Sequence, residues 1–381
     1  MKLSFPTLPL FSLALFHAAA SAADCDPSSF SEVLLFDSPA YQDPANAQDT
    51  IVNVQSYVFL RQLDIDGLTT LVNGALQKVG MDVPQQLLNR ALDRLKLFAA
   101  VGLPGQEVTL TVPGCSQPAT LPRTDLINAG MVTGAVSVGQ CASADGNLYN
   151  ADIQGVNSLT PNVTIFSSRP DGFGVISDID DTVKVSNSLD NAKFIQSTLF
   201  DDPTPVPGMP EVYASLAKSL NDPQFIYISA SPYQLYPFLR DFIASAYSQS
   251  RGPLFLVNYT TTDFKNLLDS VTSTEPGTDD GSSTLNYKTS QIARVQAMYP
   301  GKSFLTVGDS TQKDPEAYAQ AFKTYGGDFI RCIWVHLVDG ADNSDARFAA
   351  AFEGVPQERV RYFKDSDIPA LANVDVAGGQ C

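Results

Sequence analysis

The chain has 381 residues, of which 44% are hydrophobic, and its formal net charge is −17. This composition is typical of a globular protein of about two domains, and the negative charge excludes nucleic acid and a general attraction to anionic membranes. Of its two histidines, His17 lies in a predicted leader, so His336 alone remains in the mature chain. Enzymes built on paired histidines and zinc sites with several histidine ligands are excluded. We expect His336, which lies in an apolar strand, to be structural.

Residues 1–22 have the pattern of a secretory signal peptide, with a lysine near the start, an apolar stretch and small residues at the cleavage site. Two prolines argue against an uncleaved signal anchor, and no later stretch approaches the roughly 20 apolar residues of a membrane span. Asn162 and Asn258 begin glycosylation sequons. We therefore expect a secreted glycoprotein that acts outside the cell or in the secretory pathway.

The cysteines show no metal-ligand spacing, and some should pair in an oxidising compartment. Cys115 with Cys141 would close a local loop, and Cys25 with Cys381 would join the two ends of the mature chain. The sequence alone does not decide between these and other pairings. One cysteine must be left over, and Cys332, inside an apolar run, is predicted to be a buried thiol.

Residues 23–165 are predicted to form a smaller N-terminal domain of helices and strands. Helical periodicity covers 69–80 and 83–98, and the second helix carries Arg90, Arg94 and Lys96, so that it either lies on a lipid surface or docks on its own domain. Short alternating or apolar runs then predict strands over 106–114, 131–139, 147–156 and 162–166. We expect a helical lead-in followed by a small antiparallel β domain.

Residues 166–381 alternate between apolar strands and amphipathic helices. Strands are predicted over 173–177, 225–229, 252–259, 303–308 and 329–338. They are apolar enough to be buried on both faces, which predicts an α/β fold with a doubly wound parallel sheet. The turn-rich stretch 271–286 is predicted to be a surface loop.

An acidic motif, Asp178-Ile179-Asp180-Asp181-Thr182, follows the first of these strands directly. Polar residues also stand at later strand ends and helix starts, namely Ser229, Lys288, Asp309 and Asp314. Because the carboxyl ends of parallel strands meet at one edge of a sheet, we expect these residues to converge. The alternative for the motif is a calcium loop or a solvated turn, and Asp181 and Ser231 are expected to cap the backbone.

This set of residues suits the cleavage of a phosphate ester. Asp178 can act as a nucleophile, and Asp180 can move a proton to the leaving oxygen and from water. Two carboxylates facing a phosphate need counter-charge, which Mg²⁺ held by Asp178, Asp309 and the backbone carbonyl of Asp180 would supply together with Lys288. Ser229 and nearby amides can bind phosphate oxygens.

The amino-acid sequences around these motifs resemble those of one known family. The segments "SDIDDTVK", "YISASPYQLYPFL", "YKTSQI" and "FLTVGDSTQKDPEAYAQ" are similar to the catalytic domain of the actin-patch-associated phosphatidate phosphatase of fungi, within the haloacid dehalogenase (HAD) superfamily of aspartyl phosphatases. The resemblance runs from about residue 170 to residue 340 and implies a HAD-like, Rossmann-like domain with a small cap or none. It implies the following roles: Asp178 and Asp180 catalytic; Thr182, Ser229 and Lys288 phosphate-binding; and Asp178, Asp180, Asp309 and Asp314 serving Mg²⁺.

The resemblance implies that phosphatidate is hydrolysed to diacylglycerol and phosphate, with peripheral contact to a membrane. Secretion departs from the family, whose enzyme works on cytoplasmic membrane faces, so two alternatives stay open. One is a secreted phosphatase for sugar, nucleotide or protein phosphates. The other is an inactive module that binds lipid or carbohydrate.

Overall fold

The computed structural model describes residues 31–60, 65–78, 80, 83–141, 148–153, 157–160, 163–258 and 281–381. The predicted signal peptide, Cys25 and Asn162 lie outside these ranges. Within them the strands form two sheets, the first ending at Ser167 and the second beginning at Asp171. None of the helices in the described part combines the length and apolar character needed to cross a membrane.

The first sheet is mostly antiparallel and has ten strands among the described residues. They are β1 Ser31–Leu35, β2 Ser38–Gln42, β3 Thr50–Leu60, β4 Val101–Gly102, β5 Thr109–Thr111, β6 Ala119–Thr120, β7 Met131–Gly139, β8 Leu148–Ile153, β9 Asn157–Ser158 and β10 Val163–Ser167. Their order is β6-β5-β8-β10-β2-β3-β1-β9, and β4 and β7 also pair with β3. The strands predicted after residue 105 are confirmed, but a helical lead-in is wrong because β1 to β3 come first.

Two helices, α1 Ile65–Lys78 and α2 Gln85–Leu95, connect β3 to β4. The apolar stripe of α2 is buried inside the protein. Its arginines also bond inward: Arg90 donates to the carbonyl of Phe200 at 2.7 Å, and Arg94 donates to that of Thr198 at 2.9 Å. This helix therefore docks on its own chain and does not offer its apolar face to a lipid surface.

The second sheet is parallel throughout and has the order β13-β12-β11-β14-β15-β16. Its strands are β11 Asp171–Ser177, β12 Gln224–Pro232, β13 Leu254–Val257, β14 Gly301–Asp309, β15 Ile330–His336 and β16 Val360–Phe363. The described helices around it are α3 Asn191–Ile195, α4 Met209–Ser219, α5 Tyr236–Ala246, α6 Ser282–Met298, α7 Asp314–Tyr325, α8 Asp345–Ala351 and α9 Ile368–Leu371. The predicted mixed α/β arrangement with a parallel sheet is confirmed. The predicted loop is wrong from Ser282 onward, where α6 begins.

Successive residues of β11 face opposite sides of this sheet, as the period of two in a strand requires. Val175 belongs to a hydrophobic cluster with α4 and α5, whereas Ile176 belongs to a second cluster with α6 and α7. The first of these clusters also contains Phe36, between β1 and β2, and Tyr57 of β3. Both faces of the parallel sheet are therefore covered, and one of its cores is shared with the N-terminal strands.

Asp37 ties the two sheets together by polar contacts as well. Its buried carboxylate accepts hydrogen bonds from Arg240 on α5 at 2.8 Å and from the backbone of Thr164 at 2.8 Å. Its own backbone N–H donates to the hydroxyl of Tyr236 at 2.6 Å. A buried carboxylate needs such partners, so Asp37 fixes α5 against the first sheet.

Two disulfides are present among the described residues. Cys115 bonds to Cys141, which was one of the candidate pairings, but Cys381 bonds to Cys332. The predicted Cys25–Cys381 pair and the free thiol at Cys332 are therefore wrong. Trp334 lies on the same face of β15 as Cys332, and its indole N–H donates to the carbonyl of Cys381 at 3.0 Å. This bond holds residue 381 beside the strand, where its sulfur meets that of Cys332.

Candidate active site

Asp178 stands at the carboxyl edge of the central strand β11. The strand is buried between β12 and β14, and the N–H of Asp178 donates to the carbonyl of Val307 on β14 at 2.9 Å. This bond extends the ladder by one residue and fixes the direction of the side chain. Only 3% of Asp178 is exposed. The carboxylate must therefore find its partners inside the protein.

Lys288 provides the main partner. Its ammonium lies 2.7 Å from Oδ1 of Asp178 and 2.5 Å from Oδ1 of Asp314, and the side chain is buried. Burial by itself lowers the pKa of Lys288, but the charges of Asp178, Asp314 and Asp309 reverse the effect and hold the pKa above its ordinary value. Lys288 therefore carries a fixed positive charge. The sequence predicted Lys288 at the start of a helix, but it lies in the second turn of α6.

Asp309 and Asp314 complete the carboxylate group. Asp309 is the last residue of β14, and its backbone N–H donates to Oδ2 of Asp314 at 3.3 Å. A Cβ at Gly308 would lie 2.6 Å from the side chain of Asp314, so only glycine allows this approach. The hydroxyl of Thr182 donates to Oδ2 of Asp309 at 3.2 Å. Asp314 is the first residue of α7, and its carboxylate bonds to Lys288.

The carboxylates of Asp178, Asp309 and Asp314 fit a hard divalent cation. One oxygen of each lies within 4.8 Å of the others, and all three residues are buried. The three carboxylates have one lysine, Lys288, beside them, so the site lacks enough positive charge to balance three ionised aspartates. Burial, followed by the charge of Asp314, raises the pKa of Asp309 to about 7 despite Lys288. Burial also raises the pKa of Asp178 well above its usual range. Mg²⁺ prefers such an oxygen set.

Asp180 has a separate environment of hydroxyl groups and a second lysine. Its Oδ1 accepts from Ser186 at 2.5 Å and lies 3.5 Å from Nζ of Lys184, whereas its Oδ2 accepts from Ser231 at 2.8 Å and from Ser229 at 3.1 Å. Burial raises the pKa of Asp180, but the charge of Lys184 and these hydroxyl groups outweigh it, so the pKa is lowered overall. The side chain is 12% exposed, which leaves it reachable from solvent.

Lys184, Ser186 and Thr311 were not predicted from the sequence, and the role predicted for Ser231 is wrong. Thr311 donates both its hydroxyl and its N–H to Oδ1 of Asp309. Ser231 was expected to cap a helix but lies within β12, and α5 begins only at Tyr236. The signal for Lys184 was a lysine between two valines directly after the acidic motif. A charge in such a buried alternation needs a partner, and in the structure Asp180 supplies it.

Asp181 and His336 shape the motif loop. Asp181 has a positive φ of 58°, and its carboxylate accepts backbone N–H bonds from Ser186, Asn187 and Ser188. The expected capping role is therefore confirmed. Nδ1 of His336 lies 2.9 Å from the carbonyl of Asp181. The ring also stacks on Phe363, 5.1 Å between centroids, in agreement with the structural role expected for it.

Mg²⁺ is expected to stabilise the folded protein more at about pH 8 than at about pH 5. Asp309 has a folded pKa of about 7, whereas an unperturbed aspartate has one near 3.9. The cation-free folded state therefore binds an extra proton between these values, and its stability falls as the pH rises through that window. The cation competes with this proton. Thermal unfolding with and without Mg²⁺ at both pH values measures the difference, and an equal gain at both would contradict the site.

Comparison with known proteins identifies the segment that carries these residues. Residues 173–336 match the family model of the phosphatidate phosphatase APP1 catalytic domain. The chain is also 30% identical over 170 residues to the phosphatidate phosphatase APP1 of Saccharomyces cerevisiae. This alignment covers 43% of the present chain and 26% of the yeast protein. The predicted site residues, Asp178, Asp180, Thr182, Ser229, Lys288, Asp309 and Asp314, all lie inside the matched range. Residues 173–336 are therefore similar to the catalytic domain of phosphatidate phosphatase APP1.

Proposed function

We propose that this protein is a secreted, Mg²⁺-dependent phosphatase that cleaves phosphatidate to diacylglycerol and phosphate through an aspartyl-phosphate on Asp178. The observation that carries the proposal is the contact of Asp178 with Lys288, beside Asp309 and Asp314, in a segment that matches a phosphatidate phosphatase catalytic domain. A HAD-like fold for residues 166–381 belongs to the proposal. The parallel strand order and the placement of the polar residues at strand ends support it.

In the first step, an oxygen of Asp178 attacks the phosphorus, and the bond from phosphorus to the glycerol oxygen breaks. The electron pair of that bond goes to the leaving oxygen, which takes a proton from Asp180. Lys288 holds Asp178 in place from 2.7 Å. A bound Mg²⁺, held by Asp178, Asp309, Asp314 and the backbone carbonyl of Asp180, would neutralise charge on the phosphoryl group.

In the second step, the carboxylate of Asp180 takes a proton from water, whose oxygen attacks the phosphorus and releases Asp178. The lowered pKa of Asp180 favours the carboxylate that this step requires. The first step requires the protonated form, and an incoming phosphate dianion raises the pKa of a neighbouring carboxyl group. Ser229 and Ser231, which bond to Asp180, are placed to orient it through both steps.

Secretion is supported by the leader-like residues 1–22 and by the disulfides Cys115–Cys141 and Cys332–Cys381, which are typical of oxidising compartments. Asn258, one of the two proposed glycosylation sites, is exposed.

Lys184→Met is expected to lower kcat about 100-fold, because Asp180 loses its charged partner and its fixed position. The hydroxyl of Ser186, which accepts from Lys184 at 2.7 Å, loses a donor at the same time. Steady-state phosphate release measures the effect. Lys193→Met is the matched control, because Lys193 is exposed and pairs with Asp190 away from the site. Unchanged kcat in the Lys184 variant would contradict this role.

The proposed function is tested by phosphate release from phosphatidate and from a panel of sugar, nucleotide and peptide phosphates, with Mg²⁺ and with a chelator. Mg²⁺-dependent release from phosphatidate supports the whole proposal. Release from the small esters alone keeps the mechanism and replaces the substrate. If no substrate releases phosphate while the folded protein binds lipid or glycan, the inactive binding module takes the place of the enzyme.

A further inference from the structure

The turn at residues 125–130, which leads into β7, exposes two adjacent aliphatic side chains. Leu126 is 82% exposed and Ile127 is 91% exposed. Within the described part of the chain, the other large exposed hydrophobic residues are Val101 and Leu189, which are about half as exposed. Val101 belongs to β4, against which the turn packs. Single exposed aliphatic residues are ordinary, but two neighbours at the end of a turn beside a third form a concentrated apolar surface.

The turn holds these side chains outward in a fixed conformation. Oδ1 of Asp125 accepts from the N–H of Asn128 at 2.7 Å, and Oδ2 accepts from its side-chain amide at 3.0 Å. Ala129 has a positive φ of 47°, which is rare for a residue with a Cβ. A Cβ at Gly130 would lie 2.4 Å from the carbonyl of Val58, so the turn is pressed against β3. A strained backbone that its surroundings hold in place often marks a functional segment, which indicates that the exposure of Leu126 and Ile127 has a function.

A cavity of about 300 Å³ borders this turn. Leu126 and Val101 line it together with Tyr233 and Gln234. These two residues directly follow β12, where the hydroxyl of Ser231 bonds to Asp180. The turn therefore borders the segment that holds the proposed acid and base.

A second cavity, of about 440 Å³, also borders the turn. Asp125 and Asn128 of the turn line it together with Tyr287 and Gln291 of α6. The residue after Tyr287 is Lys288, whose ammonium contacts Asp178. Two elements that carry the proposed catalytic group thus flank the turn, and this places the turn at the rim of the carboxyl edge.

We propose that residues 125–130 form a membrane-docking tip, which inserts Leu126 and Ile127 into the hydrocarbon boundary of a lipid bilayer beside the active site. The inference rests on the proposed lipid substrate, whose phosphate is presented at a bilayer surface. The net charge of −17 opposes electrostatic adsorption to anionic lipid, so apolar insertion is the remaining route. Two side chains are too small a surface for a stable second copy of the chain, which needs roughly 1,000 Å² or more.

The first test places a fluorescent probe at the tip. Ile127→Trp adds a tryptophan to a chain whose only other one, Trp334, is fully buried and gives a constant background. The protein is treated with an endoglycosidase, because Asn258 borders both cavities. Vesicles of phosphatidylcholine and phosphatidate are expected to shift the emission of the introduced tryptophan to shorter wavelength. Bromine-labelled acyl chains are expected to quench this emission. An emission maximum that stays at the wavelength measured without vesicles would overturn the proposal.

The second test removes the apolar tip. Leu126→Ser with Ile127→Ser is expected to weaken vesicle binding by about 10- to 100-fold, since each aliphatic group lost from the bilayer lowers the affinity. Turnover of phosphatidate in vesicles should fall by a similar factor at limiting lipid, whereas release from a soluble phosphomonoester should stay within about twofold. The swapped pair, Leu126→Ile with Ile127→Leu, keeps the apolar surface and is expected to match the parent.

These outcomes separate the tip from the proposed function. If the tryptophan of the Ile127→Trp variant inserts into vesicles but no substrate releases phosphate, the membrane-docking tip is supported and the proposed phosphatase activity is contradicted. If the Leu126→Ser, Ile127→Ser variant binds vesicles and turns over phosphatidate like the parent, the membrane-docking tip is contradicted and the proposed phosphatase activity is unaffected. Binding that weakens as salt is added would also overturn apolar insertion, because salt screens attraction between charges but not the burial of aliphatic groups. A dimer that the serine pair dissociates would assign the surface to a second copy.

Discussion

Asp178→Asn is expected to reduce phosphate release by about 10⁴-fold or more while the protein stays folded. The amide lacks the negative oxygen that must attack the phosphorus. Its carbonyl can still accept from Lys288, which lies 2.7 Å away in the parent. Burial raises the pKa of Asp178, so its ionised form is costly in the folded state. Removing that charge is therefore expected to leave the free energy of unfolding at neutral pH equal to that of the parent or higher.

Phosphate release and urea unfolding of the same preparation measure the two parts of this prediction. Asp171→Asn is the matched control, because Asp171 begins the same strand but is exposed. Its activity and stability should match those of the parent. An Asp178→Asn protein that retains more than about a tenth of the parent rate would show that another group attacks the phosphorus.

Lys288→Met is expected to lower the free energy of unfolding by about 3–5 kcal/mol, the usual cost of breaking a buried ion pair from one side. Asp178 and Asp314 both contact the ammonium of Lys288, and all three side chains are at most 4% exposed. Without it, the buried carboxylates face one another with no positive charge between them. Activity is expected to be lost as well, because Asp178 loses the group that positions it.

The loss of stability should depend on pH and on the cation. Protonation relieves the repulsion between the carboxylates, so the loss is expected to be smaller at about pH 5 than at about pH 8, and Mg²⁺ should restore part of it. Urea unfolding with and without Mg²⁺ measures this. Lys218→Met, on the exposed face of α4, is the control and should unfold like the parent. A loss equal to that of the control would show that Lys288 is not the main counter-charge.

The parallel sheet was largely predictable because its strands are uninterrupted apolar runs that alternate with amphipathic helices. β16 was missed because it is a four-residue edge strand whose first three residues are only partly buried. The first sheet was harder. β3 alternates in burial only over its first four residues. It pairs with the neighbouring β1 and β2, but also with the distant β7, and β2 pairs with the distant β10. Local patterns do not encode such pairings.

The residues of the candidate site were predictable for a related reason. Asp178 and Asp309 end strands of one parallel sheet, so the topology itself brings them together. The partners of Asp180 were not predictable in this way. Lys184 and Ser186 reach it because the chain reverses at Asp181, whose positive φ depends on three backbone N–H donors and on His336. That reversal is a tertiary arrangement with no local sequence pattern.

The core shared by the two sheets bears on how this chain can be divided. The matched catalytic segment begins at residue 173, but Phe36 and Tyr57 of the N-terminal region pack in the same cluster as Tyr233 and Tyr236. A fragment cut at that point would expose these aromatic rings to water and leave Arg240 without Asp37. Heating should therefore melt both sheets in one transition. The segment that carries the chemistry is thus shorter than the piece of chain that can fold.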